Sequence, residues 1–159
     1  MRRIQSIVGL GLAIVVLAGV LGLWLWGKPR ETVALPSSST SPAGVVQTFA
    51  KALNDRDFSA AKAVVIGDRV GVDAGWWSLH GPRVEDLRIV RTGPVTSGAQ
   101  CESKAATNWK KCVQVDTEAT FKHLKGLTKG SKPDHEAWSY YLVRNTPSER
   151  WRILDWGQG

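Results

Sequence analysis

The sequence has few of the residues and motifs on which most enzyme and metal sites depend. It holds two cysteines and three histidines among 159 residues, and no two of the histidines stand four positions apart. No Cys-x-x-Cys pair, glycine-rich phosphate loop or nucleophile elbow is present. These absences argue against structural zinc and against the enzyme classes that carry such motifs. We therefore predict no catalytic residue, no cofactor and no metal, and expect a protein that is not an enzyme.

Charge is missing from one long stretch near the N-terminus. Residues 7–26 include no charged and no strongly polar side chain, and as a helix they would extend about 30 Å, the thickness of a bilayer's hydrocarbon core. Trp24 and Trp26 close the run, and Lys28 and Arg30 follow it, an order typical of a membrane interface. The sequence therefore predicts a transmembrane helix over 7–26, preceded by a short cytoplasmic tail over 1–6.

Two other interpretations of the apolar run stay open. A cleaved signal peptide would account for Arg2 and Arg3 ahead of it. However, the run exceeds the usual length of roughly 7–15 residues, and no small-x-small cleavage site follows directly. A buried helix of a soluble protein is the third interpretation. The flanking positive charges are nearly balanced, so they do not set the orientation.

The two cysteines bear on the compartment. Cys101 and Cys112 stand eleven positions apart in the C-terminal part of the chain. One pair and no other cysteine fits a disulfide formed in an oxidising compartment, and two unrelated buried thiols are the alternative. With a disulfide, we expect a single-pass cell-membrane protein with its N-terminus in the cytoplasm and its C-terminal domain outside.

The N-terminal half of the remaining chain predicts a linker and two helices. Residues 27–41, rich in serine and proline, are expected to form a flexible linker. Apolar residues then recur at helical spacing after Pro42, with Ser41 as the N-cap. A second helix is expected to begin after Asp57 and to continue to about Gly67.

The C-terminal half predicts strands. Residues 112–122 alternate between apolar and polar side chains, which is typical of a half-buried strand. The runs 137–144 and 150–156 are expected to form a hairpin, and an earlier strand lies near Leu87. We therefore predict an α+β fold, in which two to three helices pack on a curved antiparallel sheet of about four strands.

The helical stretch PAGVVQTFAKALNDRDFSAAKAVV (42–65) and the terminal WRILDWGQG (151–159) resemble the opening hairpin and closing strand of the nuclear transport factor 2-like superfamily. The resemblance covers most of residues 42–159 and implies one cone-shaped extracytoplasmic domain over that range. Anchored bacterial members include accessory domains of cell-wall enzymes and the bitopic assembly component of type IV secretion and conjugation machines.

The resemblance implies a non-catalytic, membrane-anchored cell-envelope protein that acts through protein or ligand contacts. An assembly subunit of a type IV secretion or conjugation apparatus is one alternative. A small-molecule enzyme or ligand carrier that uses the cone pocket is another, because fold alone does not choose. The expected partners are membrane lipid, bound by the N-terminal helix, and an unknown envelope protein, with a homo-oligomer as a further option.

Two groups of residues are candidates for contacts. The possible pocket comprises Tyr140, Tyr141, Asp155, Trp76 and Trp77. The possible basic contact surface comprises Lys122, Lys125, Lys129 and Lys132. Since only Phe121 lies near these lysines, we expect no nucleic acid, whose binding needs several interleaved aromatic residues. Asp116 and Glu118 are expected to be solvated carboxylates on the polar face of their strand.

Overall fold

The computed structural model describes residues 15–22, 28–67, 83–122 and 134–158. The domain elements in these ranges are two α-helices, four strands and two single 3₁₀ turns. In chain order they are α1 (Pro42–Asn54), α2 (Phe58–Ala63), β1 (Arg83–Thr92), η1 (Gly98–Gln100), η2 (Lys104–Ala106), β2 (Lys111–Lys122), β3 (Asp134–Arg144) and β4 (Arg152–Gly157).

The strands form one antiparallel sheet in the order β1-β2-β3-β4, and the helices pack on one of its faces. This confirms the predicted α+β class and the four-stranded sheet. Val115 of β2 lies opposite Tyr140 of β3, and Tyr140 lies opposite Trp156 of β4. A register shift lies between Tyr141 and Leu142, and the consecutive residues Ile153 and Leu154 of β4 are buried on different faces of the sheet.

Both predicted helix starts are confirmed. The Ser41 hydroxyl accepts a hydrogen bond from the Gly44 N–H at 3.1 Å, and Pro42 occupies the first turn, where no N–H is needed. Asp57 caps α2 in the same way. The helix ends earlier than expected, at Ala63. The chain then pairs with the edge of β4, and the Ile153 N–H donates to the Val64 carbonyl oxygen at 2.8 Å.

The main core lies between the helices and the sheet. α1 contributes the buried side chains of its apolar face, and the strands contribute Val113, Val115, Leu142 and Ile153, each at most 1% exposed. The alternation predicted for β2 explains this, because Val113 and Val115 point to the helices while Gln114 and Asp116 point away.

Residues 28–41, here called the strap, differ from the predicted flexible linker. Val33 is 6% exposed and belongs to the main core, and Pro36 is buried as well. The Val33 N–H donates to the Asp57 carboxylate at 3.0 Å, and the Arg30 N–H donates to the Asp55 carbonyl oxygen at 2.7 Å. From composition alone, these backbone N–H groups would be expected to bond to water, but they are hydrogen-bonded within the protein.

The strap runs antiparallel to α1 along the domain. It starts beside the α1–α2 turn, and further on the Ser38 carbonyl oxygen accepts from Arg144 Nη1 at 3.4 Å, at the far end of β3. The chain then reverses at Ser41 and returns through α1 to Asn54. The folded unit therefore begins before the predicted boundary at residue 42.

Near the N-terminus, residues 15–22 are helical, and their large apolar side chains are more than half exposed. Within the described ranges, no helix has both the length and the hydropathy needed to cross a membrane. The rest of the predicted span 7–26 lies outside the described residues.

We expect Asp57→Asn to lower the free energy of unfolding by about 1–2 kcal/mol at pH 7, because one carboxylate both caps α2 and holds the strap. Hydrogen bonds from the backbone N–H groups of Val33 and Ala60 lower the pKa of Asp57. Because the pKa of Asp57 is lower in the folded state, its carboxylate stabilises the protein fully when the pH is above the pKa of the unfolded chain, about 3.9. This contribution is lost as the pH falls through the pKa of the folded state.

Urea denaturation at pH 7 and pH 3 would measure this effect. The wild type should lose more stability on acidification than Asp57→Asn does. Asp55→Asn, on the same turn, breaks only an exposed pair with Lys51 and should cost about 0.3–0.5 kcal/mol. Equal pH dependence in wild type and Asp57→Asn would contradict the assignment.

Candidate functional site

The sheet face that points away from the helices, here called the outer face, is polar along most of β2 and β3. Gln114 lies opposite Tyr141, and Asp116 lies opposite Ser139. All four side chains are partly buried rather than fully solvated. The outer face therefore holds a layer of hydrogen-bonding groups at a fixed spacing.

Residues 93–110, here called the covering loop, fold over one end of the outer face. Thr96 forms a bridge with Cys112, and the Gly98 N–H donates to the Trp109 carbonyl oxygen at 2.9 Å. Under the loop lies a second small core of Ala106, Cys112, Val143 and Leu154. This apolar cluster fixes the loop against the sheet.

A disulfide joins Cys101 of the covering loop to Cys112 of β2, which confirms the predicted pairing. The two Cα atoms are 6.0 Å apart, and Cys112 is fully buried. The bond ties the loop to the strand beside Gln114. It therefore holds the loop residues in place relative to the outer face.

Between the covering loop and the sheet lies a cleft of about 150 Å³. β1 contributes Arg91, β2 contributes Gln114, and β3 contributes Tyr141. The loop contributes a wall that includes Gly93, Pro94, Thr96, Gln100, Cys101 and Glu102. The lining thus combines a guanidinium, a carboxylate, two amides and a phenol, which suits a polar or charged partner group.

Asp116 is the centre of the hydrogen bonds beside the cleft. Its Oδ2 accepts from Arg91 Nε at 2.8 Å, and its Oδ1 accepts from Ser139 Oγ and from Gln114 Nε2, both at 2.7 Å. Partial burial by itself would raise the pKa of Asp116. The three hydrogen bonds outweigh that effect, so the pKa is lowered and the carboxylate stays ionised.

Other acidic side chains around the outer face are paired as well. Glu118 accepts from the Arg88 guanidinium, and this bond lowers the pKa of Glu118. Asp155 Oδ2 accepts from Ser103 Oγ at 2.9 Å. At the cleft, Glu102 accepts from the Tyr141 hydroxyl at 3.3 Å.

The two carboxylates Asp116 and Glu118 do not suit the role of a general acid. A general acid at neutral pH needs a carboxyl group whose pKa is raised, whereas Asp116 and Glu118 are shifted the other way. Within the described ranges, no group of three or more histidine, cysteine or acidic side chains has the geometry of a metal site. The hydrogen bonds around Asp116 hold the donors and acceptors beside the cleft at fixed positions.

Of the five residues predicted to share a pocket, the structure describes three, and Tyr140 lies on the opposite sheet face from Tyr141 and Asp155. Tyr141 and Asp155 are partners across β3 and β4 on the outer face. Tyr140 points to the helices, as expected for the neighbour of Tyr141. Trp76 and Trp77 lie outside the described residues.

Tyr140 belongs to the core rather than to the cleft. Its ring lies 6.4 Å from Phe49 and 6.1 Å from Trp156, centroid to centroid. Burial raises the pKa of its hydroxyl to about 12. Aromatic packing accounts for this residue.

Of the predicted basic contact surface, only Lys122 is described. It is exposed at the end of β2, and its Nζ lies 2.5 Å from the Glu85 carboxylate. The other three members, Lys125, Lys129 and Lys132, lie outside the described residues.

Several cleft residues were missed by sequence reasoning. Arg91, Gln100 and Glu102 come from a strand end and a loop, where no periodicity marks them. Gln114 carried a usable signal, because the alternation in β2 placed it on the polar face together with Asp116. Arg91, the partner of Asp116, could not be identified without the register between β1 and β2.

Comparison with known proteins gives no relative: no protein-family model, no curated protein and no solved structure matches the chain. The resemblance to the nuclear transport factor 2-like superfamily therefore stays a prediction from the residue pattern.

Proposed function

We propose that this chain is a non-catalytic, membrane-anchored cell-envelope protein that binds a partner in the cleft between the covering loop and the outer face. The observation that carries the proposal is the hydrogen-bonded network around Asp116. It holds Arg91, Gln114 and Ser139 in place beside the cleft before any partner arrives. Preorganisation of this kind reduces the entropy lost on binding.

The apolar residues near the N-terminus support the anchor. Leu17 and Val15 are 68% and 69% exposed in the helical segment 15–22. A contiguous exposed apolar surface is costly in water and is typical of segments that contact lipid or protein. Lipid burial of the run 7–26 would remove that cost.

The disulfide supports a location outside the cytoplasm. Cys101 and Cys112 are paired, and stable disulfides of this type are rare where thiol reductants are abundant. The ring packing around Tyr140 favours the outer-face cleft over a carrier pocket on the helix-facing side.

Site-specific photocrosslinking in native membranes tests the cleft. A benzophenone amino acid would replace Gln100 or Thr96, which line the cleft, and Lys62, which is exposed on α2, would serve as the control position. We expect one discrete adduct from the cleft positions and none from Lys62. Adducts of equal yield from all three positions, or none at all, would contradict the proposed site.

A charge variant measures the contribution of the cleft to affinity. Arg91→Ala removes the guanidinium and leaves Asp116 with two of its three donors, so we expect adduct formation to fall about tenfold, equivalent to about 1.4 kcal/mol. Arg83→Ala, at the other end of β1, is the matched control and should leave the yield unchanged. A smaller effect from Arg91→Ala than from Arg83→Ala would count against the cleft.

A further inference from the structure

The strap determines where the chain approaches the domain. The Arg30 N–H is bonded to the Asp55 carbonyl oxygen, and Val33 is already part of the core three residues later. The chain therefore arrives from its N-terminal segment at the α1–α2 turn. The strap reaches the opposite end of the domain later, where Arg144 donates to the Ser38 carbonyl oxygen.

Little chain separates the predicted membrane span from this turn. Four residue steps lead from Trp26 to Arg30, and a fully extended chain covers about 3.5 Å per step, or about 14 Å in all. If the span ends at Trp26, the α1–α2 turn has to stay within that distance of the bilayer interface.

The groups at this end suit a headgroup layer. Arg30 lies where the strap first meets the domain, Lys28 precedes it, and Arg56 lies in the α1–α2 turn. Glu31 and Asp55, both paired with Lys51, lie at the same end. The basic side chains at this end, Lys28, Arg30, Lys51 and Arg56, outnumber the acidic Glu31, Asp55 and Asp57 by one, so the net charge there is slightly positive. A positively charged surface is attracted to lipid phosphates, which guanidinium groups match well.

The cleft lies at the other end of the sheet. Asn54, at the end of α1, exchanges two hydrogen bonds with Val84 of β1, both at 2.8 Å, so the start of β1 is near the turn. Gly93 of the cleft stands nine residues further along the chain. At about 3.3 Å per residue, the separation is roughly 25–30 Å.

We propose that docking of the strap at Arg30 leaves only a short tether to the predicted membrane span, which holds the α1–α2 turn close to lipid headgroup phosphates and points the cleft away from the membrane. The inference rests on the anchored binding function proposed above and adds its geometry. The partner would then be met in the aqueous phase, or on a structure facing the membrane, rather than within the lipid.

Paramagnetic relaxation measured on the full chain in lipid nanodiscs tests this orientation. Lipids that carry a gadolinium chelate broaden the amide signals that lie near the headgroups. We expect Asp55 and Arg56 to lose most of their signal, while Gln100 and Asn145 keep theirs. Broadening of Gln100 as strong as that of Arg56 would overturn the proposal.

An insertion tests whether the shortness of the tether, rather than another contact, sets the orientation of the domain at the membrane. About twelve glycine and serine residues placed between Lys28 and Pro29 leave the docked strap intact and add roughly 20 Å of reach. The broadening at Arg56 should then weaken markedly. The same insert between Pro147 and Ser148, in the exposed β3–β4 turn, should leave it unchanged. An unaltered pattern with the first insert would show that the short tether does not set the orientation.

The two proposals fail in different ways. If the chain does not enter nanodiscs, the anchored function and the orientation are both overturned. In another outcome, the chain enters nanodiscs and crosslinks through the benzophenone at position 100, while the amide signals of Arg56 and Gln100 are broadened equally. In that case the proposed orientation alone is wrong.

Discussion

Gly98→Ala is expected to lower the free energy of unfolding by about 3–4 kcal/mol, which is more than any other single substitution described for this domain. A Cβ at position 98 would lie 1.9 Å from the Ala106 carbonyl oxygen and 2.4 Å from that of Trp109. Both neighbours are backbone atoms of the covering loop, so no side-chain rotation relieves the clash. The loop would have to leave the outer face, and its small core would be exposed.

Urea denaturation followed by tryptophan fluorescence would measure this loss. Gly93→Ala is the matched control, because its Cβ would meet its nearest neighbour, the Gln114 carbonyl oxygen, at an ordinary 3.5 Å. That variant should stay within about 0.5 kcal/mol of the wild type. Similar stabilities for the two variants would mean that the covering loop does not pack closely at Gly98.

Removing the disulfide by the double substitution Cys101→Ala and Cys112→Ala is expected to cost about 2–3 kcal/mol. Chain-entropy estimates for a closed loop of this size give that magnitude. The unfolded chain gains freedom, and the covering loop loses its covalent link to β2. We expect the loop to detach before the main core unfolds, since the bond lies beside the small core under the covering loop and not beside the main core.

The redox state of the wild type provides the control for this variant. Oxidised wild type should be more stable than the double variant, and reduced wild type should resemble it. Thiol labelling of unreduced protein purified from membranes should find no reactive cysteine. Labelling of both cysteines would contradict both the bond and the inferred compartment.

Local chemistry made the helices and β2 predictable. Ser41 and Asp57 carry side-chain oxygens that cap the N–H groups of the helices they precede, which needs no distant partner. β2 was predictable because alternate residues are apolar, and one face of the sheet is covered by helices. Element ends were less predictable, since Val64 and Val65 left the helical pattern to pair with β4.

The strap shows why composition misled. Serine and proline are frequent in flexible linkers, and residues 27–41 contain little that is apolar. The strap docks through Val33, Pro36 and hydrogen bonds to distant residues, including one to the buried carboxylate of Asp57, 24 positions away from Val33. A contact over that sequence distance leaves no periodic signal in the segment itself.

The candidate site was predictable in the same partial way. The polarity of Gln114, Asp116 and Glu118 could be read from β2, but Asp116 and Glu118 were expected to be solvated rather than hydrogen-bonded to neighbouring side chains. Arg91 and Arg88 come from β1, in a register shifted by two irregularities that no sequence pattern marks. Tyr140 and Tyr141 were expected on different faces, and only the fold showed which of them lines the cleft.

By itself, the sequence determined the helix caps, the α+β class, the half-buried β2 and the pairing of its only two cysteines, because each depends on nearby residues or on composition. Tertiary structure decided the docking of the strap, the position of the covering loop and the network around Asp116. These depend on contacts between distant segments, whose register and approach are set by the packing of the whole domain.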